Sequence, residues 1–364
     1  MTKRIIRYLA VVGIALMLFL AFHKGQAVAG EGEVTVAGDE AFVYLFDPDT
    51  AAFVFTFTLP TSGASPWDIE AISNGSRQDV WFTEPSIDRI GHLVYTGTQD
   101  YTFQEYVVEE GCYPLNLAIN EGFVWFTESK CNRIGRLEIG SGITTEFEIE
   151  TLNSYPADLF IDPDGSIWFT EMQADQLAHL VITSTTQYTI EEYQGVGVSG
   201  GHPYGVVRSG SGIYIAQPAN DKVMRFTPAA GMWTDVSTIS GLNNVQEPYK
   251  LVIDNFGKVW GTERAGNRIT KFTYGTFPVV TPYDVTPAGS LLTGFAVGQG
   301  DALWFTQWAA GQMGKFSTIS EEMIYYPLPL DNLAPTGVAV DDNSVWLLAT
   351  RIYRVYLPLS MRGG

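Results

Sequence analysis

Apolar residues along this chain come in short runs of four to seven, alternating or continuous, rich in Phe, Tyr, Val and Ile and separated by Gly, Pro and Asp. Runs of that length with those boundaries predict β-strands, because a helix would repeat its apolar positions every three to four residues over a longer span. After the first 29 residues no convincing amphipathic helix is found. Seven of the runs follow a small turn and carry a triplet that begins with an aromatic and ends in Thr, Ala or another small or apolar residue. They start at Trp81, Trp125, Trp168, Tyr214, Trp260, Trp304 and Trp346, in steps of 44, 43, 46, 46, 44 and 42 residues. A near-constant period in this range marks an array of four-stranded blades, so the predicted fold is all-β, a seven-bladed β-propeller.

The best copies agree beyond the triplet. Trp81-Phe82-Thr83-Glu84 runs into Asp88-Arg89-Ile90-Gly91, Trp125-Phe126-Thr127-Glu128 into Asn132-Arg133-Ile134-Gly135, and Trp260-Gly261-Thr262-Glu263 into Asn267-Arg268-Ile269-Thr270. Each unit reads as an inner strand, the strand with the triplet, a strand with Arg-Ile-Gly or its equivalent, and an outer strand such as Thr144 to Ile149. At the ends the pattern is incomplete in complementary ways. Ala41 to Leu59 reads as two outer strands without their inner partners, and the seventh repeat offers only Ile352 to Leu357 beyond Trp346. A ring closed by an N-terminal strand inside the C-terminal blade removes two exposed sheet edges. Both Phe42 to Phe46 and Ile352 to Leu357 are candidates for the third place there. Residues 30–357 are thus expected to form one propeller, with 358–364 a short tail.

Composition supports a packed core, since 46% of residues are hydrophobic and 13% aromatic. Lys3, Arg4 and Arg7 precede the apolar stretch Tyr8 to Phe22, and Ala27-Val28-Ala29 has the small-x-small shape of a signal-peptidase site. Residues 1–29 therefore read as a signal peptide cleaved after Ala29, placing the chain in the periplasm or outside the cell. A retained anchor is the alternative, although the stretch is short for a span. Cleavage would remove four basic and no acidic residues, taking the formal charge from -19 to -23. Such a surface repels phosphate backbones and anionic lipid, which disfavours nucleic acid and membrane partners. Cys112 and Cys131 match no zinc spacing and fall in loops of one repeat that emerge on one face, so a disulfide is expected.

Trp-Phe-Thr-Glu followed by Asn-Arg-Ile-Gly-Arg, repeated around the chain, resembles the streptogramin B lyase (virginiamycin B lyase) family of seven-bladed propellers, over roughly residues 40–357. The resemblance implies an enzyme that opens a cyclic depsipeptide by eliminating across its ester C–O bond, with Mg²⁺ held by glutamates and a histidine as acid or base. One family glutamate precedes a Pro at the entry to an inner strand, and a second ends the next Trp strand sixteen residues later. Glu247-Pro248 and Glu263 match both, making them the expected ligands of Mg²⁺, with Ca²⁺ the alternative. The family histidine after that Pro, and its counterpart one blade earlier, are Tyr249 and Tyr204 here. Tyr ionises near pH 10, far from the pKa near 7 that suits a base. His202, directly before Pro203, is a displaced candidate base, with a turn-capping role as the simpler reading.

Aromatics one residue to either side of the entry position, Trp67, Tyr113, Tyr155, Tyr204 and Tyr249, are expected to converge on a ligand mouth with Gln307 and Trp308. Glu84, Glu128 and Glu171 read as acceptors for neighbouring loops, His92 and His179 as structural, and Asp162-Pro163-Asp164-Gly165 as a hairpin turn. The function expected is a monomeric propeller that binds a peptide, sugar or small molecule. Its alternative is the Mg²⁺-dependent lyase, with His202, Tyr249 and Tyr204 as catalytic residues. A six-bladed lactonase is disfavoured by the seven repeats.

Overall fold

The triplets form the second strand of each blade, and what they pack against builds the ring. The computed structural model describes residues 33–356 except 98–99, 121, 185–186, 195–199, 240–241, 244, 276–278 and 343. Seven four-stranded antiparallel sheets surround a central channel, with inner strands Ile69–Asn74, Pro114–Asn120, Pro156–Ile161, Val206–Ser209, Pro248–Ile253, Leu292–Val297 and Leu333–Val340. We number the blades 1 to 7 in that order. A small two-stranded ribbon, Thr238–Ile239 with Leu242–Asn243, lies outside them.

The last blade orders its strands Leu333–Val340, Val345–Tyr356, Glu33–Asp47 and Ala52–Thr58 from the channel outward. The N-terminal strand therefore sits inside the C-terminal blade, as the end patterns predict. Leu45 pairs with Trp346 and Phe42 with Ala349, so Phe42 to Phe46 takes the third place. Ile352 to Tyr356 extends the second strand instead and pairs with residues 33–37. The proposed leader (1–29) and tail (358–364) lie outside the described residues. No helix among the described residues is long and apolar enough to cross a membrane.

Trp81, Trp125, Trp168, Trp260, Trp304 and Trp346 are at most 2% exposed, because each is sandwiched by the next blade. Trp125 packs on Ile167 and Phe169, Trp168 on Ile213 and Ile215, and Trp346 closes the circle on Val80 and Phe82. Burial of one such side chain contributes about 2 to 3 kcal/mol. The Gly of Arg-Ile-Gly is required by the Phe of the triplet: a methyl at Gly91, Gly135 or Gly314 would collide with the ring of Phe82, Phe126 or Phe305 directly opposite. Blade 5 lacks the pair, with Gly261 opposite Thr270.

The Thr that ends a triplet ties blades together through its hydroxyl. Thr127 Oγ1 accepts from the Asn116 amide at 3.1 Å and donates to the Ala157 carbonyl of the next blade at 3.0 Å, and Thr83, Thr170 and Thr306 act likewise. These bonds sit where the inner strand is irregularly paired, so they replace ladder bonds that the strand forgoes. Asp162 accepts from the Trp168 indole N–H at 3.3 Å, and Gly165 N–H bonds the Asp162 carbonyl, which makes this segment the expected hairpin turn.

Cys112 and Cys131 are joined, with Cα atoms 4.7 Å apart and a sequence separation of 19. Loop closure over that length is worth about 3 kcal/mol. The Cys112→Ser/Cys131→Ser double variant should lose about that much stability in urea titration; unchanged stability would mean the loop is already held by other contacts.

Candidate functional site at the channel mouth

The mouth is built at the start of the inner strands. Tyr113, Tyr155 and Glu247 each precede the Pro that opens a strand, His202 precedes Pro203 three residues ahead of its strand, and each has a left-handed backbone, with φ of 58°, 56°, 50° and 49° respectively. Pro disfavours the right-handed helical region for its predecessor. Side chains from the previous blade hold the resulting turn: Asp88 accepts from the Tyr113 amide, Asp175 from that of His202 and Asp221 from that of Glu247, each at 2.8 Å.

Below this tier the residues after Pro66, Pro203 and Pro248 meet across the channel. Tyr204 and Tyr249 stack with centroids 4.1 Å apart and are each 3% exposed. With Leu115, Ala157 and Met172 they form one cluster, against which the half-buried Trp67, Tyr113 and Tyr155 pack. Tyr204 Oη accepts from the Trp67 indole at 2.9 Å and from Asn116 Nδ2 at 3.0 Å, which ties blade 4 to blades 1 and 2. Arg264 lies over the Tyr249 ring and Lys130 over Tyr113. The five aromatics expected at the mouth thus converge, and they fill it. Burial pushes both central phenols up from their ordinary value, Tyr204 further raised by Asp158 and Tyr249 by Tyr204, so each is a neutral hydroxyl at physiological pH.

The next layer down was not singled out from the sequence. Lys250 reaches across the channel to Asn116 Oδ1 at 2.8 Å, Asp158 Oδ1 at 3.0 Å and Asp68 Oδ1 at 3.5 Å. Asp68 also accepts from the Leu117 amide, and Asp158 from that of Val206, so each carboxylate bridges to the neighbouring inner strand. Burial alone would lower the Lys250 ammonium, but Asp158 and Asp68 outweigh it and push it up. Aligning the inner strands would have found this layer, since Asp68, Asn116, Asp158, Gly205, Lys250, Gly294 and Gly337 occupy one position. Beneath it a cavity of about 420 Å³ runs along all seven inner strands. Glu70 faces that lumen, and enclosure by the strands, then Asp68, push its carboxyl up to about 8.

His202 lies at the rim, half-buried. Its Nδ1 donates to the Met172 carbonyl at 3.1 Å, since that oxygen can only accept, and this leaves Nε2 as the basic nitrogen. Glu247 is in the same tier, with its carbonyl accepting from the Arg264 amide. Glu263 is fully buried and already neutralised: it accepts from Arg268 Nη2 at 2.5 Å, from the Gln246 amide at 2.7 Å and from the Thr270 hydroxyl. A magnesium ion there would have to displace a guanidinium, so Glu263 as placed does not fit the role of ligand. Gln307 is equally buried, donating to the Thr286 carbonyl and Ser290 Oγ and accepting from Gln312, while Trp308 beside it is half-buried. Among the described residues one group of three His, Cys, Asp or Glu side chains lies close enough to share an ion, Cys112, Glu128 and Cys131, and it contains both sulfurs of the disulfide. His92 and His179 stack on Trp81 and Trp168 and bond Asp79 and Ser166, which are structural duties.

No protein-family profile matches this chain, and no curated protein matches it in sequence. Solved structures do match in shape. A streptogramin B lyase structure is 24% identical with a TM-score of 0.70, covering 88% of this chain and 99% of that one. Virginiamycin B lyase from Staphylococcus aureus is 22% identical with a TM-score of 0.68, over 85% and 99%. A catalytically inactive histidine-to-alanine variant of the same enzyme, solved with quinupristin, gives 23% and 0.69, over 85% and 99%. By ring size, blade order and coverage, the chain has the seven-bladed β-propeller fold of the streptogramin B lyase structures.

Proposed function

We propose that this chain is an exported, monomeric binding propeller that has lost lyase chemistry and uses its mouth as an aromatic platform. The observation that carries the reading is the buried Tyr204–Tyr249 stack, which stands where the resemblance expects histidines and fills the entrance they would need. Around it the half-buried Trp67, Tyr113 and Tyr155 extend the aromatic surface, with Lys130 over Tyr113 and Arg264 over Tyr249. Such faces suit a sugar ring or an aromatic side chain of a peptide. The disulfide and the acidic surface support an oxidising compartment outside the cytoplasm and disfavour nucleic acid.

Mature protein incubated with a streptogramin B and Mg²⁺ should leave the ring closed, as followed by mass. Soluble glycan and peptide panels should yield a ligand whose binding falls at least tenfold in Trp67→Ala or Tyr155→Ala, as expected of aromatics that carry most of a contact. Ring opening by the native chain would overturn this reading in favour of the second. That second reading, a lyase with His202 as base and Tyr249 as donor, is favoured by the acceptor nitrogen of His202 at the rim. It requires His202→Ala to slow opening by about 100-fold or more.

A further inference from the structure

Three positions recur in the blades: the last residue of the Trp strand, the first residue of the third strand, and an outer-strand residue opposite the third strand two places on. In blade 2 they are Glu128, Arg133 and Glu146, and the guanidinium bonds both carboxylates at 2.7 Å. In blade 1 Arg89 bonds Glu105 beside Glu84, and in blade 5 Arg268 bonds Glu263. Blade 4 has a neutral Gln217, with Lys222 against Asp235 at 3.2 Å. Wherever these positions hold acids in blades 1, 2, 4 and 5, the chain supplies a cation.

Blade 3 keeps both acids, Glu171 and Glu192, but has Gln176 in place of the cation. Glu171 is 0% exposed and Gln176 4%, and both carboxylate oxygens of Glu171 and the amide Oε1 of Gln176 have no hydrogen-bond partner. Ser154 also faces Glu171, yet its hydroxyl proton goes to Asn132 Oδ1 at 2.8 Å, so towards Glu171 it presents a lone pair. Glu192 accepts from the Thr151 hydroxyl at 2.6 Å and from its amide at 3.3 Å. Blade 3 therefore brings these oxygen acceptors together without the cation that blades 1, 2, 4 and 5 supply.

We infer that Glu171, Glu192, Gln176 and Ser154 form a buried metal site in blade 3, in which a calcium ion takes the place that arginine holds in blades 1, 2 and 5. Oxygen-only donors select a hard cation, and two carboxylates match a divalent charge. Ca²⁺ accepts six to eight oxygens in irregular geometry, as side chains of mixed type supply, whereas Mg²⁺ demands a near-ideal octahedron. Without an ion, burial and then Glu192 push the Glu171 carboxyl up to about 8, the cost of leaving this charge uncompensated.

The test is thermal unfolding of full-length mature protein at pH 8 in EDTA, in about 10 mM CaCl₂ and in about 10 mM MgCl₂, concentrations above the weak range of extracellular calcium modules. Calcium should raise Tm of the native chain by about 3 to 6 °C, with magnesium giving less. Gln176→Arg should show a comparable rise in EDTA and no further response to calcium. Glu171→Gln, which copies the residue type that Gln217 and Gln307 supply at the same position of blades 4 and 6, should lose the response as well. A native Tm that ignores calcium would overturn the site and leave a protonated Glu171 as the explanation. An equal calcium response in all three proteins would overturn it too, pointing to ions held by the acidic surface. If Gln176→Arg fails to fold, Glu171→Gln alone decides between retention and loss of the response.

Discussion

Lys250→Met should destabilise the protein by about 3 to 5 kcal/mol in urea titration, the usual cost of removing one partner of a buried ion pair. Methionine keeps the length and bulk of the lysine stem, so the effect isolates the ammonium. Its loss leaves Asp158, 6% exposed, and Asp68 facing each other across a closed channel with only one backbone amide each. Burial already raises the Asp68 carboxyl even with Lys250 present, so removing the counter-charge compounds an existing penalty. Asp158→Asn combined with Lys250→Met should recover a large part of the loss, because the remaining unpaired charge is then halved. A loss under about 1 kcal/mol for Lys250→Met would mean that the cross-channel pairs contribute little and that inter-blade packing alone holds the mouth.

The second large effect is expected at Glu84. This carboxylate is 0% exposed, neither oxygen has a hydrogen-bond partner, and Arg89 is turned to Glu105 and Thr61 instead. Burial, followed by Glu105, pushes its pKa up to about 8 from an ordinary value of 4.5. In the unfolded chain the group ionises above 4.5, whereas in the folded chain it stays protonated until about 8. Its contribution is therefore fully present below 4.5 and is lost as pH rises through that window, levelling above 8. Glu84→Gln removes the titration while keeping the shape, and Gln217 and Gln307 already fill the equivalent place in blades 4 and 6. The variant should match the native protein near pH 4 and exceed it at pH 9 by on the order of 4 kcal/mol. Equal stability at both pH values would show that Glu84 finds a partner or water in solution.

The blade count, the core and the closure of the ring were legible from residue order because each depends on local rules. Each blade buries the aromatic that opens its triplet, and a Phe opposite a Gly fixes the pairing in blades 1, 2 and 6, as Phe82 with Gly91, Phe126 with Gly135 and Phe305 with Gly314 show. Missing strands at the two ends could only complement each other. Even the convergence of Trp67, Tyr113, Tyr155, Tyr204 and Tyr249 followed from their positions directly before or after the entry Pro. The third strand of the last blade was not decidable in advance, because Phe42 to Phe46 and Ile352 to Tyr356 have equal strand character, and register against Trp346 alone separates them.

Side-chain partnership lay beyond sequence for a different reason. Lys250 finds Asn116 and Asp158, residues 134 and 92 places away, only because the ring brings blades 2, 3 and 5 around one axis, and no periodicity encodes which charge crosses it. The spacing of Glu247 and Glu263 marks them as a pair of candidate ligands, yet the guanidinium of Arg268 takes one of them. Offsets from Pro203 and Pro248 placed Tyr204 and Tyr249 at the mouth, but whether they would line it or fill it depended on the small Ala157 and Leu115 across the channel. Repetition along the chain specifies the blades, while closure of the ring selects which unlike residues meet at its centre.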